Sequence, residues 1–528
     1  MTPLSNKAGR AHLLGGGIGS LAAAAFLIRD AGMAGHDISI LEAAPRMGGS
    51  LDGVGDQEEW GHSMRGGRLL TTDPYECTWD LFRSIPSLVH PGRSVFDETV
   101  EFNERHRSCA MARLVDRRRA GTPAASTGFS MQDRLDLLRL SHAQESELGS
   151  RCITDCLSPA FFETAFWRVW STTFAFQPWH SAVEFRRYLH RFMLEFSRIE
   201  TLAGVRRTVC NPHDSLVLPL QCWLQSQGVR MIGHCTVTEL EHESREGGLV
   251  ITGIRCELQG RPRLLGVDDG DLVFLQNGSM TDASSVGSMT RAPAHLTRAD
   301  STSWAVWEKL AEGRPAFGNP AAFKRCIVQS YWQSFTVTLR GTAFLEQMQR
   351  FTGNEADTDA LVTFKDSNWL MSIVLVHPPH LAHLPADVLV FRGHALFPDQ
   401  IGNHVPKAMA DCSGAEILQE LCGHLGVDPA TVASARCIPC RMPYLTSRFM
   451  PRGPGERPQP VPPGSRNFAF ISQFVEAPED VVFTVEHSVR TARTAVYQLT
   501  GVRRAMPPVT PHERSLHAQF DALIQALE

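Results

Sequence analysis

Short apolar runs and a glycine turn organise the start of the chain. Residues 12–14 are apolar enough for a buried strand, and 15–19 are glycine-rich. Residues 21–28 are an alanine-rich apolar segment, and 37–41 alternate before Glu42. Strand, tight turn, helix and strand in this order predict a βαβ beginning. Residues 74–200 read as mostly helical. Ser130 caps a helix that carries Leu135, Leu137, Leu138 and Leu140. Phe161, Phe162, Phe166, Trp167 and Trp170 then recur at helical spacing, followed by Phe174, Phe176 and Trp179. Such a stripe is either helix core or the wall of a site for a long apolar ligand.

Alternating α and β patterns return after residue 215. A helix is expected over 216–227 and strands over 229–232, 236–240, 250–255 and 272–275. Strand-like runs follow at 335–339 and 369–376. Residues 451–465, rich in proline and glycine, read as an exposed loop. A last strand is expected at 467–471 and a last helix at 488–499.

Composition narrows the function classes. At 528 residues the chain exceeds a single core, so two or three domains are expected. With 43% hydrophobic and 20% charged residues it is ordinary globular protein. The net charge of −5 leaves no basic field for nucleic acid. The densest basic cluster, Arg117-Arg118-Arg119, reads as a solvated loop rather than an anion contact. No apolar run is long enough to span a bilayer. Lys7 and Arg10 before residues 11–28 imitate a signal peptide, but Gly15, Gly16, Gly17 and Gly19 interrupt the stretch. The 13 cysteines are irregularly spaced, which suits a reducing, cytoplasmic setting. Cys437 and Cys440 form a CxxC with no second pair, so two buried thiols are expected there rather than zinc or a redox couple. No metal site is expected.

Candidate chemistry begins at Gly15-Gly16-Gly17-Ile18-Gly19-Ser20. Glycines permit the tight turn and let backbone approach a pyrophosphate, which the following helix N-terminus attracts. Ser20 takes the third glycine position and is small enough for close packing. Glu42, ending the second strand, is placed to accept ribose hydroxyls. A second glycine loop, Gly48-Gly49-Ser50-Leu51-Asp52-Gly53, follows closely, as in FAD-binding chains. Arg65-Gly66-Gly67-Arg68 adds two guanidiniums able to fork onto phosphate or carboxylate.

These blocks resemble the oleate hydratases, FAD-containing fatty acid hydratases once called myosin-cross-reactive antigens. The resemblance continues through residues 200–208, Asn277-Gly278-Ser279-Met280-Thr281-Asp282 and Asp366-Ser367-Asn368-Trp369. It extends through Leu396-Phe397-Pro398-Asp399, Met442-Pro443-Tyr444, Phe449-Met450-Pro451-Arg452, Val482-Phe483-Thr484-Val485-Glu486 and Ser488-Val489-Arg490-Thr491. It implies addition of water across a cis double bond of a long-chain unsaturated fatty acid, with FAD as a non-redox, structural cofactor. On it, Gly15, Gly17, Ile18, Gly19, Ser20, Glu42, Gly49, Ser50, Arg65, Gly66, Gly67, Arg68, Asn277, Ser279, Thr484 and Ser488 are expected to hold FAD. Asn368 and Thr446 are candidates for the fatty acid carboxylate, with ordinary turn roles as the alternative.

Two departures bear on catalysis. The glutamate that follows the family's Arg-Gly-Gly-Arg is credited with activating water; here that position is Leu69, followed by Leu70. The family's tyrosine-bearing segment reads Thr208-Val209-Cys210-Asn211-Pro212-His213-Asp214-Ser215, without a tyrosine. A tyrosine there is credited with protonating the alkene, and the whole chain has five tyrosines. A rebuilt acid/base pair of His213 and Asp214 is one expectation, with a structural role for His213 as the other. The alternatives to hydration are an FAD-dependent lipid oxidoreductase or isomerase, or a lipid-binding flavoprotein without hydratase activity.

The expected architecture is α/β. A Rossmann-like FAD-binding domain is built discontinuously from residues 11–73, 200–290 and 465–501. A mixed, largely helical substrate region occupies 74–199 and 291–464, and a helical tail 502–528. The tail has an apolar face of Leu516, Phe520, Leu523, Ile524 and Leu527 but few basic residues, so only weak peripheral membrane contact is expected. The short N-terminal lead points to a monomer.

Overall fold

The computed structural model describes residues 9–511 except 52, 57–60, 66–69, 72–73, 112, 117–120, 123–127, 246–247, 298–299, 356–357, 359, 377, 379, 383 and 386. Gly66, Gly67, Arg68, Leu69, the Arg117–Arg119 cluster and the apolar face of the tail therefore lie outside the described residues.

The expected βαβ start is present as β1 (Ala11–Leu14), α1 (Ile18–Arg29) and β2 (Ile38–Leu41). β1 is central in a five-stranded parallel sheet, between β2 and Leu272–Gln276. Arg230–Ile232 continues the sheet beyond β2, and Phe468–Ile471 closes the other edge. All five strands run parallel, so their carboxyl ends share one side. The chain reverses its strand order around β1, which is where such sheets open a ligand crevice. Residues 11–28 are thus buried strand, turn and helix, as the interrupting glycines implied.

α1 is alanine-rich for a packing reason. Ala22, Ala23, Ala24 and Ala25 are fully buried, and α1 lies against the last helix, Val485–Thr500. Small side chains allow that close approach. Asp30 at the end of α1 accepts a 2.8 Å bond from the Tyr497 hydroxyl, tying the two helices at one end.

A three-stranded antiparallel meander, Cys235–Arg245, Gly248–Leu258 and Arg261–Gly266, leaves the parallel sheet directly after Arg230–Ile232. Residues 74–199 are mostly helical, as expected, and lend two short strands, Leu114–Val115 and Gly121–Thr122, to the sheet described next. Their aromatic stripe is mostly core: Phe161, Phe166, Trp167, Trp170 and Phe176 pack in one buried cluster. Residues 291–464 are mixed, as expected, and the strand-like runs at 335–339 and 369–376 fall on Trp332–Arg340 and around Met371–Val374. They centre on an eight-stranded mixed sheet in the order Ser285–Val286, Arg436–Met442, Trp332–Arg340, Val388–Ala395, Met371–Val374, Leu361–Phe364, Leu114–Val115, Gly121–Thr122.

Three further expectations meet the structure. Cys437 and Cys440 are both buried on one strand and form no disulfide. Three apart on a strand they face opposite sides, and they belong to different core clusters. Residues 451–465 are irregular but not simply exposed, because Arg452 and Arg457 are buried. Each donates a 2.9 Å bond to Glu184 Oε1 in the helix Ala182–Arg191. The segment is drawn inward because an inward carboxylate has to be neutralised. Finally, residues 502–511 form no helix. They run back over the molecule, where Thr510 donates to Glu76 and Arg490 donates to the Pro507 carbonyl.

Candidate functional site

The crevice at the carboxyl ends of the parallel strands is a cleft of about 320 Å³. Its floor is the first glycine turn. The Gly15 N–H donates to the Leu41 carbonyl, and Gly48 N–H donates to the Gly16 carbonyl, so the second glycine loop is stitched to the first. The glycines are sterically required. A Cβ on Gly16 would lie 2.9 Å from Glu42 Cβ and 2.5 Å from Met47 Sδ, and one on Gly17 would lie 2.7 Å from Gln276 Oε1. Gly49 has φ +56°, and its Cβ would meet the Gly17 Cα at 3.0 Å. α1 begins at this floor with Gly17 as N-cap and no side chain capping it. Uncapped N–H groups and the helix dipole suit a phosphate there.

Glu42 sits at the rim with its carboxylate folded onto the floor. Oε2 accepts from the Gly16 N–H at 2.5 Å and Oε1 from the Ala44 N–H at 2.8 Å. Gly15, Gly17, Ile18, Glu42, Gly49, Ser50, Arg65, Ser279 and Ser488 all line the cleft. Gly19, Ser20 and Asn277 sit behind the wall instead. Ser20 Oγ accepts a 2.9 Å bond from Gln276 Nε2 and so holds α1 against the neighbouring strand. Asn277 donates to the Phe474 carbonyl at 3.2 Å, while its buried Oδ1 has no partner. Glycine loops that tolerate no side chain, an uncapped helix N-terminus and a strand-end carboxylate together fit a dinucleotide.

The residues missed in the sequence share one signal. Gln276 ends the strand Leu272–Gln276, and Gln473 follows the strand Phe468–Ile471. Both stand where Glu42 stands on β2, at the carboxyl end of a parallel strand.

A second, smaller cavity of about 70 Å³ lies against the same wall. Phe174, Phe192, Ile199, Leu202, Val205 and Phe483 make it apolar, and Thr71, Tyr75, Thr173, Tyr188, Glu195 and Thr484 add polar groups. One wall is the two-stranded ribbon that pairs Leu70–Thr71 with Val205–Arg206. Position 69 directly precedes that ribbon. Tyr75 stands at the start of the helix Glu76–Phe82, whose first turn is fixed from outside. Glu486 accepts from the Cys77 N–H at 3.0 Å and from Thr78 N–H and Oγ1 at 2.8 Å. Behind the cavity Arg113 is buried. It donates to the Ile199 carbonyl, to Leu361 O at 2.7 Å and to Thr173 Oγ1 at 2.8 Å. Burial pushes its pKa down to about 9.

Cleft and cavity share a partition. Gln473 lines the cleft, and its Nε2 donates to the Thr484 carbonyl at 2.9 Å and to Ser488 Oγ at 2.7 Å. Thr484 lines the cavity and caps the last helix through Oγ1, which accepts from the His487 N–H at 3.1 Å. Of the residues expected to hold the cofactor, Thr484 is thus the one on the cavity side.

The remaining candidates lie elsewhere. His213 and Asp214 are brought together, with Nδ1 and Oδ1 3.2 Å apart, on a single π-turn before the helix Leu218–Ser226. Neither lines the cleft or the cavity. Asp214 also accepts from Asn211 Nδ2 at 2.7 Å and from the Ala382 N–H at 3.1 Å. Burial works to raise its pKa, but those bonds and His213 outweigh it and hold the carboxyl below its usual range. Asn368 is exposed and donates to the Ile401 carbonyl at 3.0 Å. Thr446 is buried and donates to the Ser330 carbonyl at 3.0 Å. Both are pinned to neighbouring loops and line neither space.

Similarity to known proteins extends over nearly the whole chain. The MCRA family model matches residues 8–497. An oleate hydratase of Streptococcus pyogenes serotype M49 (strain NZ131) is 36% identical over 510 residues, covering 94% of this chain and 86% of that protein. A linoleate hydratase of Lactiplantibacillus plantarum is 32% identical over 538 residues, covering 93% and 94%. Among solved structures, cyclohexylamine oxidase from Brevibacterium oxydans IH-35A superposes with a TM-score of 0.52 at 11% identity, covering 94% of this chain and 99% of that one. A putrescine oxidase gives 0.53 at 10% identity, covering 93% and 99%. At such identities these two structures speak for the fold alone. The family match and the two hydratase relatives, over a chain whose glycine-floored cleft abuts an apolar cavity, establish that this protein belongs to the MCRA family.

Proposed function

We propose that the chain is a fatty acid hydratase that adds water to a cis double bond of a long-chain unsaturated fatty acid, with FAD bound in the glycine-floored cleft. The observation that carries this reading is the partition: a dinucleotide cleft and an apolar cavity with a few polar groups meet across Gln473 and Thr484. The hydratase relatives support the same reaction class.

The cleft residues fit FAD by the glycine clearances and the uncapped helix described above. Gly15 to Ile18 would face its pyrophosphate and Glu42 its ribose. Ser279, Gln473 and Ser488 would face the ring end. FAD bound there would supply a flat, polarisable surface and would take no net electrons. The chain's own residues do the rest. Phe174, Phe192 and Phe483 hold the acyl chain by apolar contact and exclude bulk water. The 70 Å³ cavity still admits a water, which needs about 10–15 Å³ with polar partners. Protonating an isolated alkene builds cationic character, so a positioned acid and a base for the water are needed.

None of the 13 cysteines is in a disulfide, which supports a reducing, cytoplasmic setting, and no helix among the described residues is long and apolar enough to cross a membrane. The test is to incubate flavin-loaded protein with oleate and with linoleate in ¹⁸O-water, with oxidised and with reduced flavin. An ¹⁸O-labelled hydroxy acid is expected. Unlabelled fatty acids returned beside an active relative would refute hydration. Flavin reduction by the substrate, or tight fatty acid binding without turnover, would instead identify a lipid oxidoreductase or a carrier.

A further inference from the structure

Hydration needs a base close to the attacking water, and Leu69 cannot take up a proton. Among the described residues lining the apolar cavity, Glu195 is the one carboxylate. It is buried, on a short helical segment after the helix Ala182–Arg191. Its Oε1 accepts a 2.7 Å bond from Arg198, which helps fix the head group. The position is set by Gly204. A methyl group there would collide with both carboxylate oxygens, so the glycine is what lets Glu195 fold over the chain at this point. Thr71 also lines the cavity, from the ribbon that follows position 69. Its Oγ1 is buried and has no hydrogen-bond partner. Leaving a buried hydroxyl without a partner is costly, and a bound water would relieve it.

We propose that Glu195 is the base that activates water in this cavity, with the Thr71 hydroxyl holding the same water; the assignment rests on the hydratase reading. The atoms balance as follows. A wall tyrosine, Tyr75 or Tyr188, gives its phenolic proton to one alkene carbon. The water oxygen bonds to the other carbon, and one water proton passes to Glu195. That proton then returns to the phenolate, so the net change is one H and one OH added to the double bond. Neither His213 nor Asp214 borders this cavity, whereas Glu195 does.

The test uses full-length, flavin-loaded enzyme, oleate and ¹⁸O-water. Glu195→Gln is expected to lower kcat at least 100-fold with flavin stoichiometry and oleate Kd within threefold of wild type. Glu195→Ala is expected to regain at least tenfold activity in formate, which leaves wild type unchanged; a purely structural carboxylate would show no such rescue. A Gln variant within threefold of the wild-type kcat overturns the assignment, as does an Ala variant indifferent to formate. Loss of flavin from the Gln variant leaves the formate titration of the Ala variant to decide. A wild-type enzyme that makes no hydroxy acid brings down the hydratase reading and this base with it.

Discussion

Gln473 donates its side-chain amide to the carbonyl of Thr484 at 2.9 Å, and that one bond joins the wall of the cleft to the wall of the cavity. The same side chain accepts the Phe483 N–H through Oε1, so it serves three backbone and side-chain partners. Gln473→Leu keeps the volume but strands the Phe483 N–H and the Thr484 carbonyl. Loss of about 2 kcal/mol of stability is expected, together with weaker flavin retention, read by thermal unfolding and flavin fluorescence. Unchanged values for both would mean the partition is held by packing alone.

Gly16→Ala places a methyl against Glu42 Cβ and displaces the N–H that Glu42 accepts. A folded protein purified without flavin is expected, with its circular dichroism preserved and flavin affinity down at least tenfold. Full flavin loading of the variant would contradict the phosphate-floor reading.

Acid sensitivity should concentrate where Glu476 meets arginines. Burial works to raise its pKa, but Arg187 at 2.8 Å, Arg457 and Arg452 at 3.3 Å outweigh it and hold it at about 2, against 4.5 unperturbed. A depressed carboxyl contributes stability above its unfolded pKa. That contribution is fully present at pH 7 and is lost as pH falls from about 4.5 to about 2. It is on the order of 3 kcal/mol. Glu476→Gln is therefore expected to be less stable at pH 7, and the difference should shrink towards pH 2. Denaturant melts across that window check it; a constant difference would remove the carboxylate from the account.

Gly204→Ala and His213→Ala separate the two catalytic readings. The first pushes the Glu195 carboxylate aside without removing its charge, and the second removes an imidazole that borders neither space. The Gly204 variant is expected to lose at least tenfold in kcat, and the His213 variant less than Glu195→Gln. The reverse order, measured with oleate, would return the chemistry to His213 and Asp214.

What could be read from the sequence was local. β1, α1 and β2 announce themselves through short apolar runs and glycines whose roles need only their neighbours. The large sheet was legible only in part: the runs at 335–339 and 369–376 mark two of its strands, and others stay hidden. Val388–Ala395 is buried along nearly its whole length, so it shows no two-residue period. Arg436–Met442 carries Pro439 in its middle, which argues against a strand until pairing with Trp332–Arg340 is known. The helix Gly414–Leu425 did carry a local signal, the reciprocal cap of Ser413 and Glu416, that went unread. The cavity was illegible for a different reason. Thr71 with Tyr75, Tyr188 with Glu195, and Thr484 come from three distant stretches of the chain and meet only through long-range pairing, as when Leu70–Thr71 joins Val205–Arg206. Glu195 has no motif to mark it.

The discontinuity of the parallel sheet has a kinetic consequence. Its edge strand, Phe468–Ile471, and the cleft residues Gln473 and Ser488 are translated long after β1, β2 and Leu272–Gln276. Until then β1 and its neighbours expose apolar faces that the last helix will cover, and the cofactor has no complete floor and roof to bind between. Closing a loop of that length is slow, and unfinished sheets aggregate. The nascent chain should therefore depend on chaperones, and flavin should be captured only once the segment through Ser488 has emerged from the ribosome.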